Sequence, residues 1–195
     1  MPSYDDRKDH LLHAAARVFA EQGYDRTSMR DLARASGMSL AGMYYYVKGK
    51  EDLLLQIQKS CFERVYEGAR AALAPEASAE GRLAAFIRHH VTFFVSHMDE
   101  MKVLAHEAES LTGGALEEVR RLKRQYVDYL IGLLGALDGR SADSAQRHVA
   151  AFTLFGMMNW IYTWYRPGGP VGVRQLADQI TKLFLNGYQV EVSAR

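Results

Sequence analysis

The stretch from Thr27 to Leu54, TSMRDLARASGMSLAGMYYYVKGKEDLL, decides the fold of this chain. Ser28 is followed three positions later by an acidic residue, which is the spacing of a capping box and predicts a short helix. That helix ends at Gly37, and Ser39 predicts the N-cap of a second helix that runs to Val47. Two short helices joined by a glycine turn are typical of a helix-turn-helix.

The side chains of this motif suit a small core. Ala33 is small enough for two helices to cross at close range, and Gly37 can adopt the positive φ that a tight turn needs. Met38, Met43 and Tyr46 then fill the space between the helices. We therefore expect Tyr46 to point into the core.

Almost all of the remaining sequence has the period of about 3.6 residues that is typical of amphipathic helices. An apolar stripe begins near Leu11 and stops at Gly23, and a long helix that begins near Lys50 runs to Pro75. No strand pattern or internal repeat is found in the sequence, so the predicted fold class is all-α. The spacing of apolar residues predicts further helices over Ser78–Phe94, within Ser96–Leu111, and over Leu116–Leu137, Asp143–Tyr165 and Val171–Val190.

The composition is that of a folded globular protein. The 195 residues are 48% hydrophobic, which is enough for a substantial core, and the formal net charge of +1 neither favours nor excludes a nucleic-acid partner. The single cysteine, Cys61, excludes an intramolecular disulfide, and the N-terminal sequence lacks the apolar segment of a secretory signal. We expect a reducing, cytoplasmic setting.

The run from Val149 to Tyr165, VAAFTLFGMMNWIYTWY, contains no charged residue and approaches the length of a membrane span. It carries Thr153, Asn159 and Thr163, however, and the helices around it are amphipathic. These features predict a helix buried on all sides in a bundle rather than a membrane segment. A membrane-associated adaptor is the less favoured interpretation.

Two segments resemble a known family: FAEQGYDRTSMRDLARASGMS, from Phe19 to Ser39, and MYYYVKGKEDLL, from Met43 to Leu54. Their pattern resembles that of the tetracycline-repressor (TetR) family of bacterial transcription regulators, from about Asp9 to Leu55. The resemblance implies an N-terminal three-helix helix-turn-helix domain that binds DNA, residues 1–48. It also implies a C-terminal helical bundle for ligand binding and dimerisation, residues 49–195.

The resemblance further implies that the second helix of the motif enters the major groove while its flanks hold phosphates. Tyr46 matches a buried family position. Tyr44 and Tyr45 match an outward pair whose hydroxyls reach phosphates and whose rings touch thymine methyl groups. Lys50 matches a lysine that clamps a phosphate together with helix-terminal N–H groups. The other phosphate-side positions are Thr27, Ser28 and Arg30.

Thr27 and Ser28 can instead act only as helix caps. The second helix of the motif, which we call the recognition helix, departs from the polar Lys-Gly-Thr set that family members often carry. Because that helix has no Arg, Asn or Gln, we expect sequence choice to depend on backbone atoms, methyl contacts and DNA shape. The predicted contacts on this helix, besides the tyrosines, are Ser39, Leu40, Ala41 and Gly42.

The resemblance also implies a homodimer, in which the last two long helices pack against their copies, and a hydrophobic small-molecule effector. One face of the uncharged helix is needed for the dimer, which leaves other side chains to line an apolar site with a few polar groups. We expect no cofactor. The predicted lining is Phe62, Phe86, His90, Phe93, Met101, Leu104, Tyr126, Phe155, Met158, Asn159 and Tyr162.

The effector class is predicted from a weaker resemblance. The segment from Phe155 to Gly187 resembles the C-terminal part of family members that regulate fatty-acid, steroid and aromatic catabolism, several of which sense acyl-coenzyme A thioesters. A cationic drug is the alternative effector, and it needs acids such as Glu107 and Glu109 beside the aromatic residues. The basic residues that coenzyme A phosphates require could be Arg82, Arg88, His89, Lys102 and Arg124.

Other classes of function lack supporting motifs. The sequence contains no Gly-rich phosphate loop and no HExxH, CxxC or GxSxG pattern, so an enzyme is not predicted. His10 and His13 lie about one helical turn apart, but two imidazoles at that spacing are more often surface or core residues than metal ligands. We predict no metal site.

Overall fold

The computed structural model describes residues 3–139 and 143–193. Within these ranges the chain forms nine α-helices, two short 3-10 helices and no strand, so the all-α prediction is confirmed. The α-helices are α1 (Tyr4–Gln22), α2 (Met29–Ser36), α3 (Leu40–Tyr44), α4 (Lys50–Leu73), α5 (Ala79–Ser96), α6 (Met98–His106), α7 (Gly113–Leu137), α8 (Ser144–Asn159) and α9 (Val173–Ser193). The 3-10 helices are Ala108–Ser110 and Trp160–Thr163.

The predicted caps of the helix-turn-helix are present. Ser28 and Asp31 form a capping box, in which the Asp31 N–H donates to Ser28 Oγ at 3.3 Å and the Ser28 N–H donates to Asp31 Oδ2 at 3.0 Å. Gly37 ends α2 with a left-handed φ of 65°. Ser39 Oγ caps α3 by accepting a backbone N–H at 3.0 Å. Local hydrogen bonding therefore fixes both short helices.

Helix α3 is shorter than predicted, because it ends at Tyr44 and not at Val47. The N–H groups of Tyr46 and Val47 both bond to the carbonyl of Met43, at 2.9 and 3.1 Å. Two donors on one carbonyl close the chain into a turn, and the helical ladder does not continue past it. The consecutive tyrosines thus lie at the end of α3 and in the turn that follows.

The helices form two compact units. The first comprises residues 3–63 and 97–122, and the second comprises residues 64–96, 123–139 and 143–193, so α4 and α7 contribute to both. In the first unit, α1 packs against α2 and α6. The functional boundary after Lys48 stays a prediction. The largest fully buried side chains of the first unit include Leu11, Phe19, Leu32, Met43, Leu53 and Leu54.

In the second unit, α5 packs against α8 and α9, which also contact each other. Asp138 at the end of α7 accepts two hydrogen bonds from the Arg147 guanidinium of α8, at 2.9 and 3.1 Å. This bidentate ion pair fixes the start of α8 beside the end of α7. The inward face of α5 includes Leu83, Phe86, Ile87, His90 and Phe94.

In the single chain, helix α8 is buried on one face only, and covering of its other face by a second copy stays a prediction. Phe155 and Met158 are buried, whereas Val149 and Phe152 are 67% and 55% exposed. The α-helix also ends earlier than predicted, at Asn159, and continues as a 3-10 turn. An uncharged run shows that a face avoids water, but it does not show whether the same chain covers that face.

Among the helices of the described residues, none combines the length and the apolarity needed to cross a membrane.

Candidate functional site

The three tyrosines at the end of α3 divide between the surface and the core. Tyr44 and Tyr45 are 54% and 72% exposed. Tyr46 is half-buried and packs against the core of the first unit. Its ring centroid lies 4.9 Å from that of Tyr4 in α1 and 5.1 Å from that of Tyr45. One tyrosine therefore anchors the end of α3 while two phenol groups face solvent.

The first turn of α3 presents few polar side-chain atoms. Ala41 is exposed, whereas Leu40 is half-buried against the core. Gly42 is half-buried, and a Cβ added to it would lie 3.2 Å from Ser39 Oγ. Ser39 is exposed, but its hydroxyl oxygen already accepts the cap hydrogen bond. The outer surface of α3 is therefore Ala41 with the two exposed tyrosines.

The three predicted phosphate-side residues near α2 differ in exposure. Thr27 is only 2% exposed, and its hydroxyl donates to the Gly23 carbonyl at 2.7 Å, so its side chain stabilises the turn before α2. Ser28 is exposed and caps α2, with its hydroxyl 2.6 Å from Asp31 Oδ2. Arg30 is exposed on the first turn. Exposed Arg30, at the N-terminal end of α2, therefore suits an anion better than buried Thr27 does.

Lys50, at the start of α4, is bonded to the turn between α1 and α2. Its ammonium donates to the Tyr24 carbonyl at 2.9 Å and lies 4.2 Å from the centre of the Tyr24 ring. The Tyr24 N–H donates to Glu107 Oε1 at 3.0 Å, across 83 positions of sequence. The carbonyl and the N–H of Tyr24 thus each form a hydrogen bond to a side chain that lies outside the helix-turn-helix. Such long-range contacts have no sequence signal, and neither Tyr24 nor Glu107 was predicted for this site.

We expect Lys50→Ala to weaken binding to every DNA sequence. The ammonium has three N–H donors, so it can hold the Tyr24 carbonyl and still bind a phosphate. Loss of one phosphate contact should lower the slope of log affinity against log salt by roughly one. Fluorescence anisotropy at several salt concentrations measures both effects.

The matched control for Lys50 is Lys59→Ala, on the same helix, where the ammonium pairs with Glu118 at 2.7 Å. This variant should leave the salt slope unchanged. If Lys50→Ala weakens binding with no change in slope, Lys50 acts on DNA only through the turn that it holds.

Four predicted effector-site residues meet in the core of the second unit. The rings of Phe86, His90, Tyr126 and Phe155 are all in mutual contact, with centroid separations from 5.3 to 6.3 Å. All four side chains are buried. They form an aromatic cluster, the name used below for these residues.

His90 gives this cluster its polar atoms. Its Nε2 lies 2.9 Å from Asn159 Oδ1, and its Nδ1 lies 3.0 Å from the Tyr126 hydroxyl. Because the amide oxygen can only accept, Nε2 carries the proton and Nδ1 accepts from the tyrosine. Burial lowers the pKa of His90 to about 4, which outweighs the opposing effect of the Asn159 hydrogen bond. The imidazole is therefore neutral at neutral pH.

The other predicted effector-site residues lie outside the aromatic cluster. In the second unit, Met158 is buried, Tyr162 stacks on Phe94 at 6.4 Å, and Phe93 contacts the His89 ring at 6.0 Å. Three predicted residues belong to the first unit, and their part in an effector site stays a prediction. They are Phe62, Met101 and Leu104.

The candidate bases also differ in what they can offer a phosphate. Arg88 pairs with Asp178 at 3.5 Å. His89 bonds to the Val65 carbonyl at 3.1 Å, and burial lowers the pKa of His89, which disfavours the charged form that a phosphate needs. Lys102 lies in the first unit. Arg124 is exposed on α7 in the second unit.

Arg82 lines a cleft of about 250 Å³ in the second unit. Asp128, Tyr129 and Gly132 of α7 are also in its lining. The Tyr129 ring lies 6.3 Å from that of Phe86, so the cleft adjoins the aromatic cluster. Tyr129 was not among the predicted residues, although it falls one position from the apolar stripe of α7 and is aromatic.

The two acids considered for a cationic ligand are already engaged. Glu107 accepts the Tyr24 N–H, and its Oε2 accepts the Ser110 hydroxyl at 2.8 Å. The side chain of Glu109 is 86% exposed and lies 3.8 Å from Arg120. Across the described ranges, no group of three or more His, Cys, Asp or Glu residues could hold a metal ion.

Comparison with known proteins gives two family matches. Residues 11–57 match the family "Bacterial regulatory proteins, tetR family", and residues 76–188 match "Tetracyclin repressor-like, C-terminal domain". The HTH-type transcriptional repressor KstR2 of Mycobacterium tuberculosis H37Rv is 27% identical over 96% of this chain and 95% of its own.

Two solved structures resemble the whole chain. A TetR-family regulator from Bordetella parapertussis is 28% identical with a TM-score of 0.89, and the match covers 95% of this chain and 97% of the other. AibR, solved in complex with isovaleryl coenzyme A and operator DNA, is 30% identical with a TM-score of 0.79, covering 91% and 97%. This chain therefore belongs to the tetR family of bacterial regulatory proteins.

Proposed function

We propose that this protein is a ligand-responsive repressor that binds a palindromic operator as a homodimer. An acyl-coenzyme A thioester releases it from the DNA. The observation that carries the proposal is the pairing of an exposed helix-turn-helix surface with a buried aromatic cluster that contains a neutral His90. The first suits DNA and the second suits an apolar ligand with one polar group.

The exposed face of α3 supports the DNA-binding part. Tyr44 and Tyr45 can donate their hydroxyls to phosphates or place their rings against thymine methyl groups, and Ala41 allows close approach to the groove floor. Arg30 and the N-terminal turn of α2 are placed to bind phosphate. Because this surface lacks bidentate base-reading side chains, operator choice should depend strongly on DNA shape.

Exposed apolar side chains support a dimer. Val149 and Phe152 of α8, with Trp160 and Trp164 beyond it, are each more than half exposed, and so is Leu183 of α9. Apolar area of this kind is normally covered by a partner. We propose that α8 and α9 pack against their copies, which places two recognition helices on one face of the DNA.

The operator test uses the DNA upstream of the protein's own gene. A labelled fragment should shift in the presence of the full chain, and an unlabelled fragment of scrambled sequence should not compete. Light scattering at micromolar concentration should give twice the chain mass of 22.0 kDa. The two recognition helices should then engage half-sites about 34–36 Å apart or a multiple of this. A monomer, or equal competition by scrambled DNA, would contradict the proposal.

The aromatic cluster and the AibR complex with isovaleryl coenzyme A support the effector class. The apolar side chains of Phe86 and Phe155 suit an acyl chain, which must part the buried aromatic cluster to reach them, and Arg82 in the adjoining cleft can bind a phosphate. The acids considered for a cationic ligand, Glu107 and Glu109, belong to the first unit and are occupied or solvated. The thioester is therefore the better supported effector.

A further inference from the structure

His90 holds a hydrogen-bond donor in a fixed direction within an apolar wall. The Tyr126 hydroxyl occupies Nδ1, which keeps the imidazole in the tautomer that carries its proton on Nε2. The His90 ring is 2% exposed and stacks against Tyr126 and Phe86, so it cannot turn without disturbing the aromatic cluster. The Nε2–H therefore points in one direction, towards Asn159.

Asn159 is a hydrogen-bond partner of His90 that a ligand can replace. It is the last residue of α8 and is exposed, so its amide can turn into water and keep its hydrogen bonds there. The buried imidazole cannot do the same, because an unsatisfied N–H in an apolar setting is unfavourable. Any ligand that displaces Asn159 must therefore bring its own acceptor to Nε2.

We propose that His90 is a specificity-determining residue that recognises the acyl carbonyl oxygen of the effector. The carbonyl takes the place of Asn159 Oδ1 on the Nε2–H, and the acyl chain lies against Phe86 and Phe155 after displacing the side chains that now cover them. This assignment rests on the proposed function, and it names the atom by which the thioester is distinguished from other apolar ligands.

The chemistry of the donor selects among ligands. A neutral N–H suits a neutral carbonyl, since one acceptor replaces another and no charge is buried. A free carboxylate also accepts, but it would have to lose its hydration in an apolar site. A cationic ligand would face the Nε2–H donor of His90, whereas an ammonium group needs a hydrogen-bond acceptor. The thioester is therefore favoured over both its free acid and an ammonium compound.

The test compares thioesters with thioethers of coenzyme A that have the same chain but lack the carbonyl. Calorimetry on the full-length protein uses matched pairs with isovaleryl, octanoyl and palmitoyl chains. For at least one pair the wild-type protein should bind the thioether about tenfold more weakly or worse, because the thioether leaves Nε2–H unsatisfied. In His90→Phe the two members of that pair should bind with similar affinity.

Asn159→Ala keeps the experiment decisive if His90→Phe does not fold. The side chain is exposed, and its removal takes away the competing acceptor, so thioester affinity should stay equal or rise while the preference over thioether persists. Equal binding of the two ligands by the wild-type protein would overturn the role of His90 and leave the effector class intact. If no thioester binds a protein that still binds DNA, the proposed effector class fails, and this assignment fails with it.

Discussion

Adding the right acyl-coenzyme A thioester should move the protein from almost fully bound to almost free on its operator. A ligand can do this only if it binds the DNA-incompetent state more tightly than the DNA-competent one. A shift from 99:1 to 1:99 requires a preference of about 10⁴-fold, or about 5.5 kcal/mol. Effectors with a smaller preference should release a smaller fraction of the protein.

Anisotropy of a labelled operator, titrated with ligand at fixed protein concentration, measures this release. The panel is acyl-coenzyme A esters of increasing chain length, the matching free acids, coenzyme A alone and cationic dyes. Thermal shift of the DNA-free protein reports binding independently. Release by dyes together with no response to any thioester would replace the proposed effector class by the cationic one.

Hydrogen bonds within the first unit connect α4 and the segment 107–112 to the turn before the helix-turn-helix. Glu51 in the first turn of α4 accepts the N–H and the hydroxyl of Thr112, at 3.0 and 2.8 Å. Gln58 of α4 donates to the Glu107 carbonyl at 3.1 Å. The segment 107–112 is thus bonded to α4, and Glu107 also holds Tyr24. A displacement of this segment should therefore change the positions of α4 and of the turn before α2.

Phe86→Ala should lower the free energy of unfolding of the second unit by about 3–5 kcal/mol. Phe86 is fully buried, and its ring contacts His90, Tyr126 and Phe155, so truncation leaves a cavity lined by aromatic rings. Urea unfolding followed by circular dichroism, at one fixed protein concentration, measures the change.

The matched control for Phe86 is Thr92→Ala, at an exposed position on the same helix. It should change the free energy of unfolding by less than about 0.5 kcal/mol. A loss below about 1 kcal/mol in Phe86→Ala would mean that the aromatic cluster contributes little to the stability of the second unit.

The features that could be predicted from sequence are those that neighbouring residues determine. The Ser28 and Asp31 capping box, the left-handed Gly37 and the Ser39 cap all depend on contacts within a few positions. The packing of the half-buried Tyr46 against the core was also predictable, because it lies three positions after Met43 in a compact turn.

What could not be predicted are contacts between distant segments. Helical spacing identifies inward faces, but it does not tell which inward faces meet, so the contact of Tyr129 with Phe86 was missed. The bond between Glu107 and Tyr24 depends on the path of the whole chain.

The two bonds on Tyr24 also limit how freely this regulator can be recombined with others. A chimera that joins residues 1–48 to the C-terminal part of another regulator would transfer Tyr24 and its bond to the Thr27 N–H, but neither Lys50 nor Glu107, whose side chains bond to its carbonyl and its N–H. The segment 1–48 is therefore not a self-contained module. A functional chimera should include the start of α4 and an acid at the end of α6. Alternatively, the recipient regulator should already have equivalent groups at those positions.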